Sequence, residues 1–380
     1  MTAETDFASD GELKGLFTCD LVCWGSASPL MFSEYLRWLG DTFGSAVAGF
    51  SHRSKDAAWE GTRPVALLEN GKRVRGYEVD LWQRVWPGKL CRSSCYGCGF
   101  HSTERPGDLT MGDYWGLADA HPSLSADGGV SCLLANSSRG ASLVAACEGA
   151  LRLAPSELAL CANANQPMLL HAPDPDADKR AFWEAYYANG FIASAVSVGA
   201  LKPRTLAGTA RKLVKGAALK LKDALRSGPF GRREMQCEQS VGEQSSDGWK
   251  EFDMDELMGS SDQDYPIVFA AKNRSDDVRR KSASGGVFNA LASVVIDHGG
   301  VVYGCAFDEN LTARHIRCET MVDVERCMGS KYSQSHMGNV INEVRTDLKD
   351  GRLVLFTGTP CQVAAVRKVC GASGNSGGGH

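Results

Sequence analysis

Three cysteines lie in one short segment of the sequence, Lys89-Leu-Cys-Arg-Ser-Ser-Cys-Tyr-Gly-Cys-Gly-Phe. Cys95 and Cys98 form a Cys-x-x-Cys pair, and Cys91 precedes them. The two intervening residues let both sulfurs face one ion or cluster, as in zinc sites and iron–sulfur sites. A structural zinc ion would need a second such pair, which the sequence lacks. Cys19 and Cys23 lie on a strand-like run and could contribute one ligand more easily than two.

A further cysteine stands in the segment Leu-Phe-Thr-Gly-Thr-Pro-Cys-Gln. An apolar strand is predicted to end at Thr357, with Thr359 as helix N-cap and Pro360 as first helical residue. Cys361 then lies in the first helical turn, where the positive end of the helix dipole favours the thiolate. This position suits a metal ligand or a nucleophile. Six other cysteines lie in apolar segments and are interpreted as small buried hydrophobic residues: Cys132, Cys147, Cys161, Cys305, Cys318 and Cys327.

Two polar segments are typical of ligand loops. The first, residues 279–288, combines a basic triplet, Arg279 to Lys281, with Ser284 and paired glycines that could open a helix toward an anion such as a nucleotide phosphate. It matches neither a Walker loop nor the dinucleotide fingerprint, and a plain helix cap is the alternative. The second, Gly329-Ser-Lys-Tyr-Ser-Gln-Ser, suits a flavin or nucleotide, with an ordinary polar loop as the alternative.

A third polar segment, Arg105-Pro-Gly-Asp-Leu-Thr-Met-Gly-Asp-Tyr-Trp-Gly, contains Asp108 and Asp113. These carboxylates fit a pocket wall and structural turns equally well. The sequence has no hydrolase triad pattern, no zinc-protease helix and no phosphoryl-transfer loop, so redox chemistry is the leading class. No catalytic residue is assigned.

Composition narrows the class of protein. The 380 residues carry a net charge of −4 with 43% hydrophobic residues, which predicts a globular protein of two or three domains and no electrostatic nucleic-acid binding. The amino-terminal residues are polar and acidic, unlike a signal peptide, and no apolar stretch is long enough to span a membrane. We therefore expect a soluble cytoplasmic protein. Its 14 cysteines would then more often hold metal than form disulfides.

The pattern of elements predicts an α/β (α+β) fold, with mixed sheets and flanking helices in two domains. Residues 11–180 form the first domain, which includes the cysteine-rich loop, and residues 265–371 form the second. Residues 181–236 form a basic helical tail, 237–264 an acidic linker, and 372–380 a Gly/Ser-rich disordered end.

The basic tail has apolar residues at helical spacing between Lys202 and Glu234, together with 10 Lys or Arg residues. A basic amphipathic helix can make peripheral contact with a membrane or dock on an acidic partner. A solvated surface helix is the commoner outcome for this pattern.

Taken together, these segments resemble the coenzyme F420 hydrogenase/dehydrogenase beta subunit family. Each block is a weak signal alone, but together they are specific. The matching blocks are Ser284-Gly-Gly-Val-Phe, Gly299-Gly-Val-Val-Tyr-Gly, Gly329-Ser-Lys-Tyr, Gly358-Thr-Pro-Cys-Gln, Leu21-Val-Cys-Trp-Gly, Ser94-Cys-Tyr-Gly-Cys and Gly112-Asp-Tyr-Trp-Gly.

The resemblance implies an iron–sulfur flavoprotein oxidoreductase that passes electrons between a 4Fe-4S cluster, a flavin (FAD or FMN) and a deazaflavin or other small-molecule substrate. It implies cluster ligation by Cys23, Cys95, Cys98 and Cys361, with Cys91 and Cys19 as substitutes. The residues implied to bind flavin are Ser282, Ser284, Gly285, Gly286, Gly329, Ser330, Lys331, Tyr332, Thr357, Gly358 and Thr359.

The chain departs from the family pattern in three ways. The block order is inverted, because the part 265–371 comes first in the family; the tail of this chain must therefore reach its head in space, as in a circular permutation. The amino-terminal ferredoxin module is missing, which implies an external electron carrier such as ferredoxin or a partner redox subunit. Trp24 stands where the family commonly has His.

Three other hypotheses remain open. The protein could be a ferredoxin-linked reductase that does not use deazaflavin, or a zinc-stabilised binding protein without catalysis. It could also be a nonfunctional fusion of family fragments.

Overall fold

A computed structural model describes residues 14–55, 62–163, 166–203, 249 and 264–371. Most of the predicted basic tail and acidic linker, and the predicted disordered end, lie outside the described residues, so those predictions stay as they are. The described residues divide into two units. One holds the residues up to Arg180 together with those from 249 onward, and the other begins at Ala181.

Two sheets carry the strands, which we number in chain order. They are β1 (Leu16–Leu21), β2 (Val47–Ser54), β3 (Arg63–Leu68), β4 (Arg73–Val74), β5 (Leu109–Asp113), β6 (Ser131–Ala135), β7 (Leu151–Ser156), β8 (Ile267–Asn273), β9 (Val301–Phe307), β10 (Ala313–Cys318) and β11 (Val354–Gly358). The large sheet has eight strands in the order β10-β9-β11-β1-β5-β6-β8-β7, and β2, β3 and β4 form a separate antiparallel sheet.

The helices flank the large sheet or lie in its connections. They are α1 (Pro29–Phe43), α2 (Leu81–Val85), α3 (Leu117–Ala120), α4 (Ser138–Ala145), α5 (Leu158–Cys161), α6 (Lys179–Ser197), α7 (Asp276–Lys281), α8 (Val287–Asp297), α9 (Met321–Cys327), α10 (Val340–Lys349) and α11 (Pro360–Gly371). Short π and 3-10 turns cover Trp86–Leu90, Ser93–Cys95 and Pro167–Leu169. The predicted α/β class with mixed sheets and flanking helices is confirmed.

Strand β1 lies at the centre of the large sheet, between two parallel neighbours. Its register with β11 runs from Leu16 opposite Val354 to Asp20 opposite Gly358, and Cys19 lies opposite Leu109 of β5. The two segments that the sequence predicts as separate domains, 11–180 and 265–371, thus form one sheet and one unit. Backbone hydrogen bonds between β11 and β1 join the carboxyl-terminal part of the chain to the amino-terminal part, as the inverted block order requires.

Alternation along the central strands fills two cores, one on each face of the sheet. Phe17 and Leu355 belong to the core covered by α4, α8 and α9, whereas Leu16 and Val354 belong to the core covered by α10 and α11. Five of the six cysteines interpreted as buried lie in these cores or in a third apolar cluster, as expected. Cys305 differs, since it is only half-buried.

A buried ion pair joins β1 to the loop that follows the cysteine-rich segment. Arg105 Nη2 lies 2.5 Å from Asp20 Oδ1, and the two side chains are 1% and 0% exposed. Thr110 Oγ1 and the Gly107 amide also donate to the Asp20 carboxylate, each at 2.9 Å. Arg105 in turn donates to the carbonyl of Leu21. The loop is therefore held against the end of β1.

The unit that begins at Ala181 contains most of α6, which has a break in its helical geometry at Gly190, where φ is +80°. Phe182 and Phe191 pack edge to face across this break, with ring centroids 6.3 Å apart. Among the described residues, none of the helices is both long and apolar enough to cross a membrane.

An aromatic cluster surrounds His52 of β2. Its ring lies 4.8 Å from that of Phe50, 4.9 Å from that of Tyr332 and 5.2 Å from that of Phe32. The side chain is 1% exposed, and within the described part of the chain neither ring nitrogen has a hydrogen-bond partner. Burial, aided by the Lys331 charge, lowers the pKa of His52 to about 3, so the imidazole is neutral in the folded protein.

The Asp20–Arg105 pair generates the first prediction. Arg105→Met leaves the Asp20 carboxylate buried without its cation, and we expect the free energy of unfolding to fall by about 3–5 kcal/mol. Urea denaturation measures this change. The control is Arg280→Met, which breaks an exposed pair with Asp277 and should cost about 1 kcal/mol or less. Equal losses in the two variants would contradict a structural role of the buried pair.

The second prediction concerns pH. In the unfolded chain His52 takes up a proton near pH 6.5, whereas in the folded chain it does so only near pH 3. The free energy of unfolding is therefore highest above pH 6.5 and falls as the pH is lowered toward 3. At about pH 5 this linkage costs about 2 kcal/mol. His52→Phe removes it, and the stability of the variant should therefore fall less between about pH 7.5 and about pH 5 in urea titrations. Parallel losses in both proteins would refute the assignment to His52.

Candidate functional site

A cavity of about 890 Å³ opens at the carboxyl ends of the parallel strands β1, β5 and β11. Its volume is within the range of small-molecule and cofactor sites, and ligands of α/β sheets bind at this edge. Most of the residues implied to bind flavin line the cavity: Ser282, Ser284, Gly286, Gly329, Ser330, Lys331, Tyr332, Thr357, Gly358 and Thr359.

Gly285 is the exception among these residues, because it packs into the sheet behind the cavity wall. Its amide donates to Ser131 Oγ at 3.0 Å, and a Cβ there would lie 2.4 Å from the Ala271 carbonyl oxygen. Glycine is required at this position for close packing of the turn on β6 and β8.

The serines of this turn have roles that the sequence did not predict. Ser284 does not cap a helix: α8 begins at Val287 with Gly286 at the N-cap, and no side chain caps it. Instead Ser284 Oγ donates to the Val130 carbonyl at 2.9 Å, and Ser282 Oγ donates to the Val278 carbonyl at 2.7 Å. Both hydroxyls stabilise the shape of the turn beside the cavity.

The basic triplet expected to attract an anion is neutralised by carboxylates. Arg279 pairs with Asp276, Arg280 with Asp277, and Lys281 with Glu325 at 2.8 Å. Within the described part of the chain, none of the three lines the cavity. Among the described residues the triplet therefore lies off the cavity wall, whereas the turn that follows it reaches the cavity, and anion binding there stays a prediction.

Lys331 lines the cavity, but its ammonium group hydrogen-bonds to the protein itself. Its Nζ donates to the carbonyls of Arg326 at 3.2 Å, Cys327 at 2.9 Å and Met328 at 2.9 Å. These groups end α9, where a cation stabilises the exposed carbonyls and the helix dipole. Burial lowers the pKa of Lys331. The lysine thus orders the 329–332 loop and leaves a positive charge beneath it.

Charge at the cavity wall also comes from Arg53, which no sequence motif revealed. Arg53 pairs with Asp113, and its guanidinium lies 5.5 Å from the ring centroid of Trp115. All three residues line the cavity. Asp108 instead accepts from the Thr18 amide at 2.9 Å and is 3% exposed. Of the two open interpretations, the pocket wall thus applies to Asp113 and the structural role to Asp108.

An aromatic pair stands on the same wall. The rings of Trp86 and Tyr332 stack at 4.2 Å with 6° between their planes, and Trp82 Nε1 donates to the Tyr332 carbonyl at 3.1 Å. Trp86 Nε1 and Ser333 Oγ are buried and have no hydrogen-bond partner among the described residues. Unsatisfied polar atoms beside a cavity favour a ligand that carries hydrogen-bonding groups.

Cys23 lies within electrostatic reach of three other cysteines. Burial, together with the nearby sulfurs of Cys361, Cys95 and Cys98, raises the pKa of the Cys23 thiol to about 12. Cys23 and Cys361 line the cavity itself. The structure thus brings into electrostatic reach the four residues of the implied ligand set, from three separate segments. In the parts of the chain described, no three His, Cys, Asp or Glu side chains form a site for a single metal ion.

Backbone contacts hold the cysteine-rich segment against the residues that follow β1. The Arg92 amide donates to the Ser26 carbonyl at 3.0 Å, and Cys91 and Ala27 form an isolated antiparallel β-bridge. Gly25 lies in the contact with φ at +95°, and a Cβ there would lie 2.8 Å from Cys91 Sγ and 3.2 Å from Cys95 Cβ. Only glycine allows this approach.

The two substitute ligands differ in their surroundings, and Cys91 lies within electrostatic reach of Cys95 and Cys23. Cys91 Sγ is surrounded by the carbonyls of Trp24, Trp86 and Pro87 at 3.3–3.4 Å, and burial raises its pKa to about 12. Such an environment favours the protonated thiol. Cys19 is fully buried in the apolar core.

The turn that carries Cys361 is fixed by a chain of hydrogen bonds. As predicted, Thr359 precedes a helix that begins at Pro360. The Thr359 amide and hydroxyl both donate to Gln362 Oε1 at 3.0 Å, as in one half of a capping box. Gln362 Nε2 donates to Ser335 Oγ at 2.8 Å, and Ser335 bonds to His315 Nδ1 at 2.9 Å.

This chain of hydrogen bonds ends at the backbone of β11. His315 Nε2 lies 2.9 Å from the Thr357 carbonyl oxygen, and since a carbonyl only accepts, the proton is on Nε2. Burial lowers the pKa of His315 to about 4, which keeps the ring neutral. No sequence motif pointed to His315. Ser335 ends the polar segment 329–335, but its bond to Gln362 was not predicted, because the two residues lie far apart along the chain.

Comparison with known proteins identifies one part of the chain. Residues 4–159 match the family model that describes the C terminus of the beta subunit of coenzyme F420 hydrogenase/dehydrogenase. No curated protein and no solved structure matches the chain. The matched family is one of redox subunits, which supports an oxidoreductase linked to coenzyme F420 at that general level. Residues 4–159 are therefore similar to the C-terminal part of the coenzyme F420 hydrogenase/dehydrogenase beta subunit, as the sequence blocks in this part of the chain indicated.

Proposed function

We propose that the protein is an iron–sulfur flavoprotein oxidoreductase that passes electrons between a 4Fe-4S cluster, a flavin and a deazaflavin such as coenzyme F420 or another small substrate. One observation carries the proposal. Two cysteines of the implied ligand set, Cys23 and Cys361, line the same cavity as three loops implied to bind flavin. A cluster held by these cysteines would thus lie beside an organic redox group bound in the cavity.

The cysteine group suits a cluster better than a single ion. Four thiolates satisfy one cubane, and a cubane is wider than an ion, so its ligands stand farther apart. The sulfurs of Cys361, Cys95 and Cys98 disfavour a thiolate at Cys23, and the iron of a bound cluster would offset that repulsion. Cys23, Cys95, Cys98 and Cys361 would hold the group, which accepts and donates single electrons.

The cavity also suits a flavin, either FAD or FMN. The stacked rings of Trp86 and Tyr332 offer an aromatic wall, and the buried Trp86 Nε1 and Ser333 Oγ offer hydrogen bonds. The Gly286 and Gly329 turns allow the backbone to approach a ligand, with φ at +83° and +81°. A bound flavin would exchange single electrons on one side and hydride on the other.

The chain's own charges would orient such a ligand. Arg53, held by Asp113, presents a guanidinium at the wall, and the Lys331 ammonium lies beneath the 329–332 loop. The Lys331 ammonium favours negative charge in the cavity, as on a phosphate or a reduced flavin ring, whereas Asp113 balances the charge of Arg53. We propose an external carrier, such as ferredoxin or a partner redox subunit, as electron donor, and a cytoplasmic location.

The test is an absorbance spectrum of protein purified without oxygen, with iron and flavin quantified. We expect a flavin band with a broad iron–sulfur shoulder and about four irons per chain. Folded protein with zinc and no colour would overturn the proposal and favour the zinc-stabilised binding protein. Reduction of the bound flavin by ferredoxin but not by reduced coenzyme F420 would restrict it to a ferredoxin-linked reductase.

The third prediction tests the ligand set. Cys361→Ala removes one of the proposed thiolates, and we expect loss of most of the iron and of the iron–sulfur shoulder. Cys370→Ser, in the same helix α11 and outside the cavity lining, should retain both. Unchanged iron content in Cys361→Ala, with cluster absorbance intact, would refute this ligand set.

The fourth prediction tests the contact between Cys23 and the cysteine-rich segment. Gly25→Ala would push a methyl group into Cys91 and Cys95 and should lower iron content several-fold. Gly76→Ala is the matched control, because Gly76 also has positive φ, +104°, but has open space around it. It isolates backbone strain, which costs about 1–2 kcal/mol, from the steric contact. Equal iron loss in both variants would mean that the contact does not matter.

A further inference from the structure

A second group of thiols lies on the cavity wall, apart from the proposed cluster ligands. Cys318 ends β10 and Cys327 ends α9, and their sulfurs are 3.7 Å apart. Cys327 lines the cavity and is 8% exposed, whereas Cys318 is fully buried behind it. One thiol of the pair thus faces the cavity, and the other is buried behind it.

The packing of β9 against α9 explains how the pair is held. Gly304 of β9 faces Cys327, and a Cβ at this glycine would lie 3.0 Å from both Cβ and Sγ of the cysteine. The same Cβ would lie 3.4 Å from the Phe288 ring. The absence of a side chain at position 304 lets Cys327 sit against the sheet, where it meets Cys318.

The surroundings make the two thiols unequal. The Cys318 thiol hydrogen-bonds to Cys327, which lowers the pKa of Cys327 and raises that of Cys318. Lys331 and Arg326 favour the Cys327 thiolate further, and Lys331 Nζ lies 2.9 Å from the carbonyl oxygen of Cys327. The nucleophilic form is therefore favoured on the thiol that faces the cavity, as in pairs with an attacking and a resolving cysteine.

We propose that Cys327 and Cys318 form a redox-active dithiol that reacts with low-molecular-weight disulfides entering the cavity. Cys327 attacks one sulfur of the disulfide, which forms a mixed disulfide and releases the first thiolate to take up a proton. Cys318 then gives its proton to solvent and attacks the Cys327 sulfur. This forms the Cys318–Cys327 disulfide and releases the second thiol.

The overall reaction oxidises one dithiol and reduces one disulfide to two thiols, so two electrons and two protons leave the protein. It needs no cluster and no flavin, and it does not depend on the function proposed above. The bond would form beneath the 329–332 loop, whose Lys331 holds the end of α9. Oxidation of the pair would thus act directly on residues that line the cavity.

A matched control exists within the same protein. Cys132 and Cys161 are also neighbours in one apolar cluster, and Cys132 lowers the pKa of Cys161. They are 0% and 1% exposed and, within the described part of the chain, do not line the cavity. Both pairs consist of two neighbouring thiols, but only the Cys318–Cys327 pair has a thiol that lines the cavity. We therefore expect only that pair to react with a small disulfide.

The fifth prediction is that oxidised glutathione converts the Cys318–Cys327 pair to a disulfide and leaves Cys132 and Cys161 reduced. The test starts from reduced full-length protein treated with oxidised glutathione. Free thiols are then alkylated and the chain is cut with trypsin. Cleavage at Arg317, Arg326 and Lys331 separates the two cysteines, so their disulfide links peptide 318–326 to peptide 327–331. We expect this linked pair by mass spectrometry, reversal by dithiothreitol, and alkylated Cys132 and Cys161. Absence of the linked pair, or equal oxidation of the control pair, would overturn the proposal.

Two variants test the order of the steps. Cys318→Ser removes the proposed resolving thiol, so we expect Cys327 to retain one glutathionyl group. In Cys327→Ser we expect Cys318 to stay reduced, because it has no access to the cavity. Glutathionylation of Cys318 in the second variant would overturn the assignment of Cys327 as the attacking thiol. Circular dichroism checks that both variants fold, and the linked peptide of the unaltered protein tests the pair without any substitution.

Discussion

The parallel pairing of β1 with β11 is the constraint on which the rest of the structure depends. It joins strands from opposite ends of the chain, and it places the segment that follows Leu21 beside the segment that follows Gly358. Cys23 and Cys361 lie on these two segments, so the cavity and the cysteine group exist only when the pairing forms. Parallel strands need long crossover connections, and here most of the chain serves as that connection.

The Asp20–Arg105 pair helps to position the segment that carries the other two proposed ligands, Cys95 and Cys98. Arg105 follows the cysteine-rich segment, and its contacts with Asp20 and the Leu21 carbonyl hold the segment near the end of β1. Backbone bonds at Ser26 and Ala27 and the close approach at Gly25 act in the same place. A buried ion pair is a costly way to stabilise a fold, but it specifies one register between loop and strand. That specificity matters where four thiols must converge.

Polar groups around the cavity are divided between shaping the protein and facing a ligand. Lys331, Ser282 and Ser284 satisfy backbone carbonyls and thereby fix the loops, whereas Arg53, Trp86 and Ser333 leave polar character at the wall. The same wall carries Cys327 with Cys318 behind it. One cavity therefore brings together two of the proposed cluster ligands, a prospective flavin surface and a dithiol.

The sequence by itself determined the α/β class, the capped turn before Cys361 and most of the loops that line the cavity. These features are local, because strand periodicity, an N-cap and a Cys-x-x-Cys spacing act over a few residues. Sequence reasoning did not predict the carboxylate partners of the 279–281 triplet and missed Arg53 and His315. The partners of those side chains, Asp276, Asp113 and Thr357 among them, are set by packing. It also divided one sheet into two domains, because hydrogen bonds between strands far apart in the chain leave no local pattern. Only the tertiary structure decided which residues share the cavity, since that depends on the register of β1 between β11 and β5.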